Sequence, residues 1–141
     1  MLLDGETQFS NRQAITATAA STNTIDLGAT GTRSHSAVPL TRDIGGWDMD
    51  LLVQVTQAFA GGTSLAVQIQ TDDNVGFTSP TVVASTAAVP VADLVAGYKF
   101  SLADFPRKTA ERYVRLNYVA VGTFTAGNVT AAVTAGVDRH V

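Results

Sequence analysis

The sequence predicts an all-β protein, an antiparallel β-sandwich of jelly-roll type with about eight strands and an extended N-terminal arm. Threonine and valine are abundant, whereas the chain has only two lysines and two glutamates. β-Branched side chains lose rotamer freedom in a helix and pack well on a pleated sheet. Several segments alternate apolar and polar residues, and glycine-containing turns separate them. Short strands with this spacing of turns are typical of sandwiches and jelly rolls.

Residues 51–71 are predicted to form two strands joined by a turn, because apolar side chains recur there with a period of two. The inward positions are Leu51, Val53, Val55, Leu65, Val67 and Ile69. Gly61 and Gly62 lie between the two runs and adopt positive φ angles without steric cost, which favours a hairpin. The segment is uncharged and long enough to span a bilayer. Its four glutamines and two glycines make a transmembrane helix the poorer interpretation.

Residues 112–137 are predicted to form a second hairpin. Val114, Leu116 and Tyr118 alternate with polar residues in its first strand. The second strand has an apolar face that consists of Val129, Ala131, Val133, Ala135 and Val137. The segment 122–127 between the strands begins and ends with glycine, as a turn would.

Shorter strands are predicted over residues 24–27, 81–87 and 98–102, with Tyr98, Phe100 and Leu102 facing inward in the last of these. Residues 91–95 fit a helical turn and a strand about equally. Residues 27–47 are expected to form a long loop. We therefore expect an N-terminal arm over residues 1–12, ordered against a partner, and a single sandwich domain over residues 13–141.

Composition excludes several classes of protein. The chain of 141 residues has no cysteine, so it has neither disulfides nor thiol chemistry. Its net charge of −3 speaks against a nucleic-acid-binding protein, which would carry a basic patch. Charged residues make up 15% of the chain, against about 25% in ordinary soluble domains. A surface with so little charge is suited to being covered by a partner. We expect no secretory signal, because acidic residues occupy the N-terminal region where such a signal carries positive charge.

No catalytic, cofactor or metal site is predicted, and we do not expect an enzyme. His35 and His140 are the only histidines, and no nucleophile motif accompanies them. Two acidic pairs, Asp48 with Asp50 and Asp72 with Asp73, could bind calcium or act in glycoside hydrolysis. Because both pairs flank predicted strands, solvated turn acids are the favoured interpretation.

The candidate sites are surfaces for protein partners. A local basic cluster around Tyr113 consists of Arg107, Lys108, Arg112 and Arg115. The strand face of Tyr113, Arg115 and Asn117 would suit an acidic partner. An ordinary solvated strand face explains the same pattern equally well. The full set of candidate interface residues is Leu2, Leu3, Phe9, Arg12, Arg33, Trp47, Arg107, Arg112, Tyr113, Arg115 and Asn117.

Three segments carry a family resemblance: residues 13–28, residues 68–81 with the motif Gln-Ile-Gln-Thr-Asp-Asp-Asn, and residues 113–118 with the motif Tyr-Val-Arg-Leu-Asn-Tyr. Through them the chain resembles the jelly-roll cement, or decoration, proteins of podovirus-type tailed bacteriophages, the group typified by the Bordetella phage cement protein. The resemblance extends over most of the chain and rests on strand patterns.

The resemblance implies a structural virion protein, assembled in the host cytoplasm, that binds the outer surface of the phage head. It implies the major capsid protein and further copies of the chain, as a dimer or trimer, as partners. Neither nucleic acid, membrane nor cofactor is expected. The alternative is a carbohydrate- or receptor-binding β-sandwich of a phage appendage, with Trp47 in an exposed aromatic cluster. A hydrolase that uses the acidic pairs is a more distant third.

Overall fold

The computed structural model describes residues 3–31, 34–35, 50–102 and 111–134. Within these residues the chain forms nine strands and one short 3₁₀ turn, Val91–Asp93. The strands are β1 (Leu3–Ala14), β2 (Ala19–Ala20), β3 (Ile25–Asp26), β4 (Asp50–Gly61), β5 (Ser64–Asp72), β6 (Thr81–Ser85), β7 (Val89–Pro90), β8 (Tyr113–Val121) and β9 (Phe124–Thr134). The predicted all-β class is confirmed. The described part of the chain contains no helix that is both long and apolar enough to cross a membrane.

The strands form two antiparallel sheets. The first sheet has the order β1-β9-β4. Residues 97–100 extend it beyond β4, because Gly97 N–H donates to the Val55 carbonyl over 2.8 Å and Phe100 N–H donates to the Val53 carbonyl over 3.0 Å. The second sheet has the order β2-β8-β5-β6, with β3 also paired to β8 and β7 to β5.

This strand order is that of a jelly roll. If β2 with β3 and β6 with β7 each count as one position, and residues 97–100 count as another, each sheet has four positions. The pairs β4–β9 and β5–β8 lie at the centres of the two sheets, and the chain passes repeatedly from one sheet to the other. Two Greek keys folded together give this arrangement. The predicted antiparallel sandwich is therefore confirmed.

The two predicted hairpins are wrong as pairings, although their strands and turns are present. β4 pairs with β9 and β5 with β8, so neither β4 with β5 nor β8 with β9 forms a ladder. Alternation and a glycine turn suit a hairpin and a crossing between sheets equally well. The two crossings lie side by side, since Thr63 N–H donates to the Val121 carbonyl over 2.7 Å. A Cβ on Gly122 would come within 3.0 Å of Gly62 Cα, so this contact requires glycine.

The N-terminal segment also differs from expectation. Residues 3–12, predicted to be an arm, belong to β1 and pair with β9. Phe9 is fully buried in the core, so this apolar side chain anchors the strand to the domain. Register shifts between Leu3 and Gln13 make the ladder irregular. A bulged, polar strand has a weak alternation pattern, which explains the wrong prediction.

The core lies between the sheets and is lined by the predicted inward positions, apart from Ala135 and Val137, which lie outside the described residues. All three inward residues of β5, Leu65, Val67 and Ile69, are fully buried. β8 contributes Val114, Leu116 and Tyr118, also fully buried. The Tyr118 hydroxyl lies 2.8 Å from Ser10 Oγ on the opposite sheet. This hydrogen bond satisfies the one polar group of a buried tyrosine.

The smaller elements follow the predictions within a few residues. Residues 98–102 alternate as expected, with Phe100 and Leu102 buried and Lys99 and Ser101 exposed. Residues 91–95, where two interpretations were open, contain the 3₁₀ turn. Of the predicted loop, only residues 27–31 and 34–35 fall within the described part. The strand predicted just before it is present at residues 25–26.

Substitution of Phe9 tests whether the N-terminal strand belongs to the folded domain. Phe9→Ala removes a fully buried ring and should lower the free energy of unfolding by about 3–5 kcal/mol. Asn11→Ala, at an exposed position two residues along β1, is the control and should change it by less than about 0.5 kcal/mol. Chemical denaturation measures both. Equal stability of the two variants would mean that β1 is a detachable arm.

Candidate protein-interaction surface

The outer face of the second sheet brings together the predicted residues Tyr113, Arg115 and Asn117. Their side chains alternate with the buried ones of β8, so all three point away from the core. In the central ladder, Tyr113 pairs with Asp72, Arg115 with Gln70 and Asn117 with Gln68. Two further outward-facing pairs follow along the same ladder, Val119 with Ala66 and Val121 with Ser64. We call these ten residues of β5 and β8 the outer face.

Hydrogen bonds across the ladder hold the polar side chains of the outer face in place. Arg115 Nε donates to Gln70 Oε1 over 2.9 Å, and Asn117 Nδ2 donates to Gln68 Oε1 over 3.3 Å. Gln68 and Asn117 are half-buried and each uses one amide atom in this bond, so Gln68 Nε2 and Asn117 Oδ1 remain for water or a partner. Ordered amides of this kind can bind a polar protein surface with little further loss of side-chain entropy.

The loop that follows β5 covers one end of the outer face. The Arg115 guanidinium lies 4.1 Å from the centre of the Phe77 ring, a cation–π contact. Phe77 is almost fully buried and has a φ angle of 48°, unusual for a bulky side chain. Burial lowers the pKa of Arg115 below its usual value, although an arginine stays charged in proteins. Arg115 therefore fixes the loop rather than projecting freely towards solvent.

Asp72 organises the same loop. Its carboxylate accepts hydrogen bonds from the backbone N–H groups of Asn74 and Ser79, each over 2.9 Å. These bonds stabilise the charged form and hold the pKa of Asp72 below its usual value, with Arg115 adding a smaller effect in the same direction. The predicted turn role of Asp72 is therefore correct. Its predicted solvation is wrong, because the residue is only 5% exposed.

Arg112 is held at the edge of the outer face by Asp26 of β3. Nε and Nη2 of Arg112 donate to the two carboxylate oxygens over 2.8 and 2.9 Å, a bidentate ion pair. The hydrogen bond to Asp26 raises the pKa of Arg112. The guanidinium also lies 5.1 Å from the centre of the Tyr113 ring. Because the ion pair is partly exposed, it orients Arg112 and Tyr113 more than it stabilises the fold.

The other candidate interface residues are dispersed. Phe9 lies in the core, so its prediction as a surface contact is wrong. Arg12 is exposed on β1, with a φ angle of 50°, and its N–H donates to Thr130 Oγ1 over 3.0 Å. Leu3 is described by its backbone alone, as the first residue of β1. Leu2, Arg33, Trp47 and Arg107 lie outside the described residues.

The acidic and histidine candidates do not converge. Asp50 begins β4 and belongs to the first sheet, whereas Asp72 ends β5 in the second. Asp73 is exposed and accepts a hydrogen bond from Arg112 N–H over 3.2 Å. His35 is exposed, while Asp48 and His140 lie outside the described residues. Among the residues that the structure describes, no three His, Asp or Glu side chains are grouped as a metal site would need.

A surface cleft of about 230 Å³ lies at the end of β1. Its described lining includes Ile15, Gln57 and Asn128 but no aromatic side chain. A carbohydrate-binding module would present a flat aromatic ring to a sugar. The cleft therefore offers amide and backbone hydrogen bonds without the stacking platform that the alternative function predicts.

Sequence reasoning missed Phe77 and the two glutamines of the outer face. The alternation of β5 does place Gln68 and Gln70 outward. Their positions opposite Asn117 and Arg115 could be recognised only once the pairing of β5 with β8 was known. Phe77 gives no local signal, because its contact with Arg115 depends on how the loop folds back over the sheet.

Comparison with known proteins identifies the family. The Bbp16 family matches residues 9–133, nearly the whole of the chain. The chain belongs to the Bbp16 family. The name fits a Bordetella phage protein, which agrees with the phage protein expected from the resemblance. The matched range includes all of β2 to β8 and the outer face, and it begins within β1 at Phe9. No curated protein matches the chain.

The lowered pKa of Asp72 predicts how stability depends on pH. An Asp whose pKa is lower in the folded state stabilises the protein above its unfolded pKa, near 3.8, and this contribution is lost as pH falls through the folded value. Asp72→Asn should remove that contribution, so its free energy of unfolding should fall less steeply than that of the wild type below about pH 4. Urea denaturation from pH 2 to 7 measures the slopes.

Asp93→Asn, which removes an exposed carboxylate from the 3₁₀ turn, is the matched control and should keep the wild-type slope. If Asp72→Asn and the wild type lose stability in parallel below pH 4, the hydrogen bonds from Asn74 and Ser79 do not carry the effect.

Proposed function

We propose that the protein is a capsid cement, or decoration, protein, which binds the outer surface of a phage head and stabilises contacts between major capsid subunits. The observation that carries the proposal is the membership of the Bbp16 family, whose name fits a phage protein, together with the jelly-roll fold. The proposed role is structural and non-catalytic. It places the protein in the virion, with the major capsid protein and further copies of the chain as partners.

The outer face supports this role as a docking surface. Its polar atoms are held by hydrogen bonds, and the charges of Arg112 and Arg115 are already balanced or covered by Asp26, Asp72 and Phe77. What remains exposed is a mixture of amides and apolar side chains, Val119 and Val121 among them. The centre of a protein interface is usually depleted of charged residues and enriched in aromatic ones, and the outer face shares this composition through its low charge and the ring of Tyr113.

Repetition would make a modest contact sufficient. On an icosahedral head, neighbouring capsid subunits present the same surface many times. A protein that contacts two subunits at once, or that binds as an oligomer, gains from the high effective concentration of the second site. A stabilising layer therefore needs neither a catalytic site nor an extensive apolar patch on each copy.

Substitution of Tyr113 tests the docking surface. Tyr113→Ala removes a half-buried aromatic ring from the outer face and should weaken binding to purified heads that lack the protein by about tenfold or more, because aromatic residues dominate interface energies. Co-sedimentation of the protein with heads measures the occupancy. Thermal unfolding of the isolated variant shows that the domain remains folded.

The matched control is Val95→Ala, which truncates an exposed side chain in the loop before residues 97–100 and should bind as the wild type does. Unchanged head binding by Tyr113→Ala would show that the outer face is not the docking surface. Failure of the wild type itself to bind expanded heads would overturn the cement function as a whole.

A further inference from the structure

The edges of the two sheets differ in how they are protected. An edge strand presents unpaired backbone N–H and C=O groups, and natural proteins limit pairing at such an edge with charged side chains, proline, bulges or short strands. In the first sheet, β1 carries Asp4, Glu6 and Arg12, and the segment 97–100 carries Lys99. In the second sheet, β3 carries Asp26. Among the described edge strands that are longer than two residues, only β6, which has five, carries no charged side chain.

The absence of charge extends well beyond β6 itself. No charged residue occurs between Asp73 and Asp93, a stretch that contains the loop after β5, all of β6 and all of β7. The rest of the chain carries the net charge of −3, so two copies repel each other overall, and an approach that brings like charges together costs further free energy. Two copies can approach each other along β6 without that cost.

β6 also exposes apolar side chains. Val82 and Val83 are 48% and 37% exposed although they are consecutive, whereas Ala84 packs against the core. The ladder with β5 shifts register at this point, between Ile69 paired with Ala84 and Gln70 paired with Val82. A bulge of this kind leaves one residue unpaired and turns side chains out of their usual alternation. Both valines therefore reach the surface at the centre of the edge.

We propose that β6 is the self-association edge of the protein, where two copies pair their β6 strands antiparallel across a two-fold axis and join their second sheets. The sequence of β6 is self-complementary in this arrangement. With the axis at Val83, this residue faces its own copy, Val82 faces Ala84, and Thr81 faces Ser85. Apolar residues oppose apolar ones and hydroxyls oppose hydroxyls, which are favourable cross-strand pairs.

The size of the contact determines its strength. Pro80 precedes β6 and cannot donate a ladder hydrogen bond, so pairing is confined to about five residues, a length of about 17 Å. An interface of this size lies below the roughly 1,200 Å² of a standard stable complex. The dimer should accordingly dissociate on dilution when it is free in solution. This inference deepens the self-association that is part of the proposed function.

Sedimentation velocity over a range of concentrations tests the edge. The wild type should convert from monomer to dimer as its concentration rises. Val83→Lys places two ammonium groups next to each other at the axis and should weaken dimerisation by about tenfold or more. Val95→Lys, at an exposed valine in the loop before residues 97–100, is the matched control and should dimerise as the wild type does.

Oxidative cross-linking gives a second test, which is unambiguous because the chain has no cysteine of its own. Val83→Cys should form a disulfide-linked dimer, since cross-strand neighbours at the axis lie within the Cα separation of about 4.4–6.8 Å that a disulfide requires. Val121→Cys, at an exposed valine of β8, should form markedly less.

A wild type that stays monomeric at all concentrations would overturn the proposal. So would a dimer that Val83→Lys does not weaken and that Val83→Cys does not cross-link. These outcomes are separable from failure of the cement function. A monomer that still saturates phage heads contradicts the β6 contact alone, whereas a β6 dimer that does not bind heads contradicts the cement function alone.

Discussion

The structure depends on the register between β5 and β8 at the centre of the second sheet. The inward side chains Val114, Leu116 and Tyr118 of β8 are fully buried, and each lies beside a buried residue of β5. A shift of one residue would turn Arg115 into the core and Leu116 into solvent. The cost of burying an unpaired guanidinium excludes that alternative. The same constraint therefore fixes the core and decides which residues form the outer face.

The crossings between the sheets follow from this central pairing. β4 continues directly into β5, and β8 into β9, and we call each of these two connected pairs a ribbon. β4 pairs with β9 in the first sheet and β5 pairs with β8 in the second, so the two ribbons pass side by side from one sheet to the other. At the crossing the ribbons approach closely at Gly62 and Gly122.

The sequence was sufficient to predict which side chains of a strand face the core, because the local pattern determines this. It was insufficient to predict which strands pair with each other. The inward positions of β4, β5 and β8, and those of β9 up to Val133, followed from alternation, because burial imposes a period of two wherever the strand lies. Strand partners did not follow, since the glycine turn at Gly61 and Gly62 permits a hairpin and a crossing alike. Phe9 was assigned to the surface because the bulges of β1 conceal its periodicity. For the candidate site, the face of Tyr113, Arg115 and Asn117 was predictable from β8 alone. The covering of Arg115 by Phe77 was not, because it arises from a loop that folds back over the sheet.

Four charged residues of the described chain, Asp26, Asp72, Arg112 and Arg115, hold parts of the fold together. Asp26 orients Arg112, and Asp72 holds the loop whose Phe77 covers Arg115. Because these charged groups make intramolecular contacts, the groups that the outer face and the β6 edge offer to a partner are mainly amides, hydroxyls and valines. Such surfaces gain little from long-range electrostatic attraction and depend on close contact and backbone pairing. Close contact requires a partner in a fixed position, which a repeating array of subunits or a second copy of the same strand provides. The scarcity of charge in the sequence and the composition of these two surfaces thus have one physical explanation: the strongest electrostatic interactions among the described residues are internal, and the external contacts that we propose are short-range.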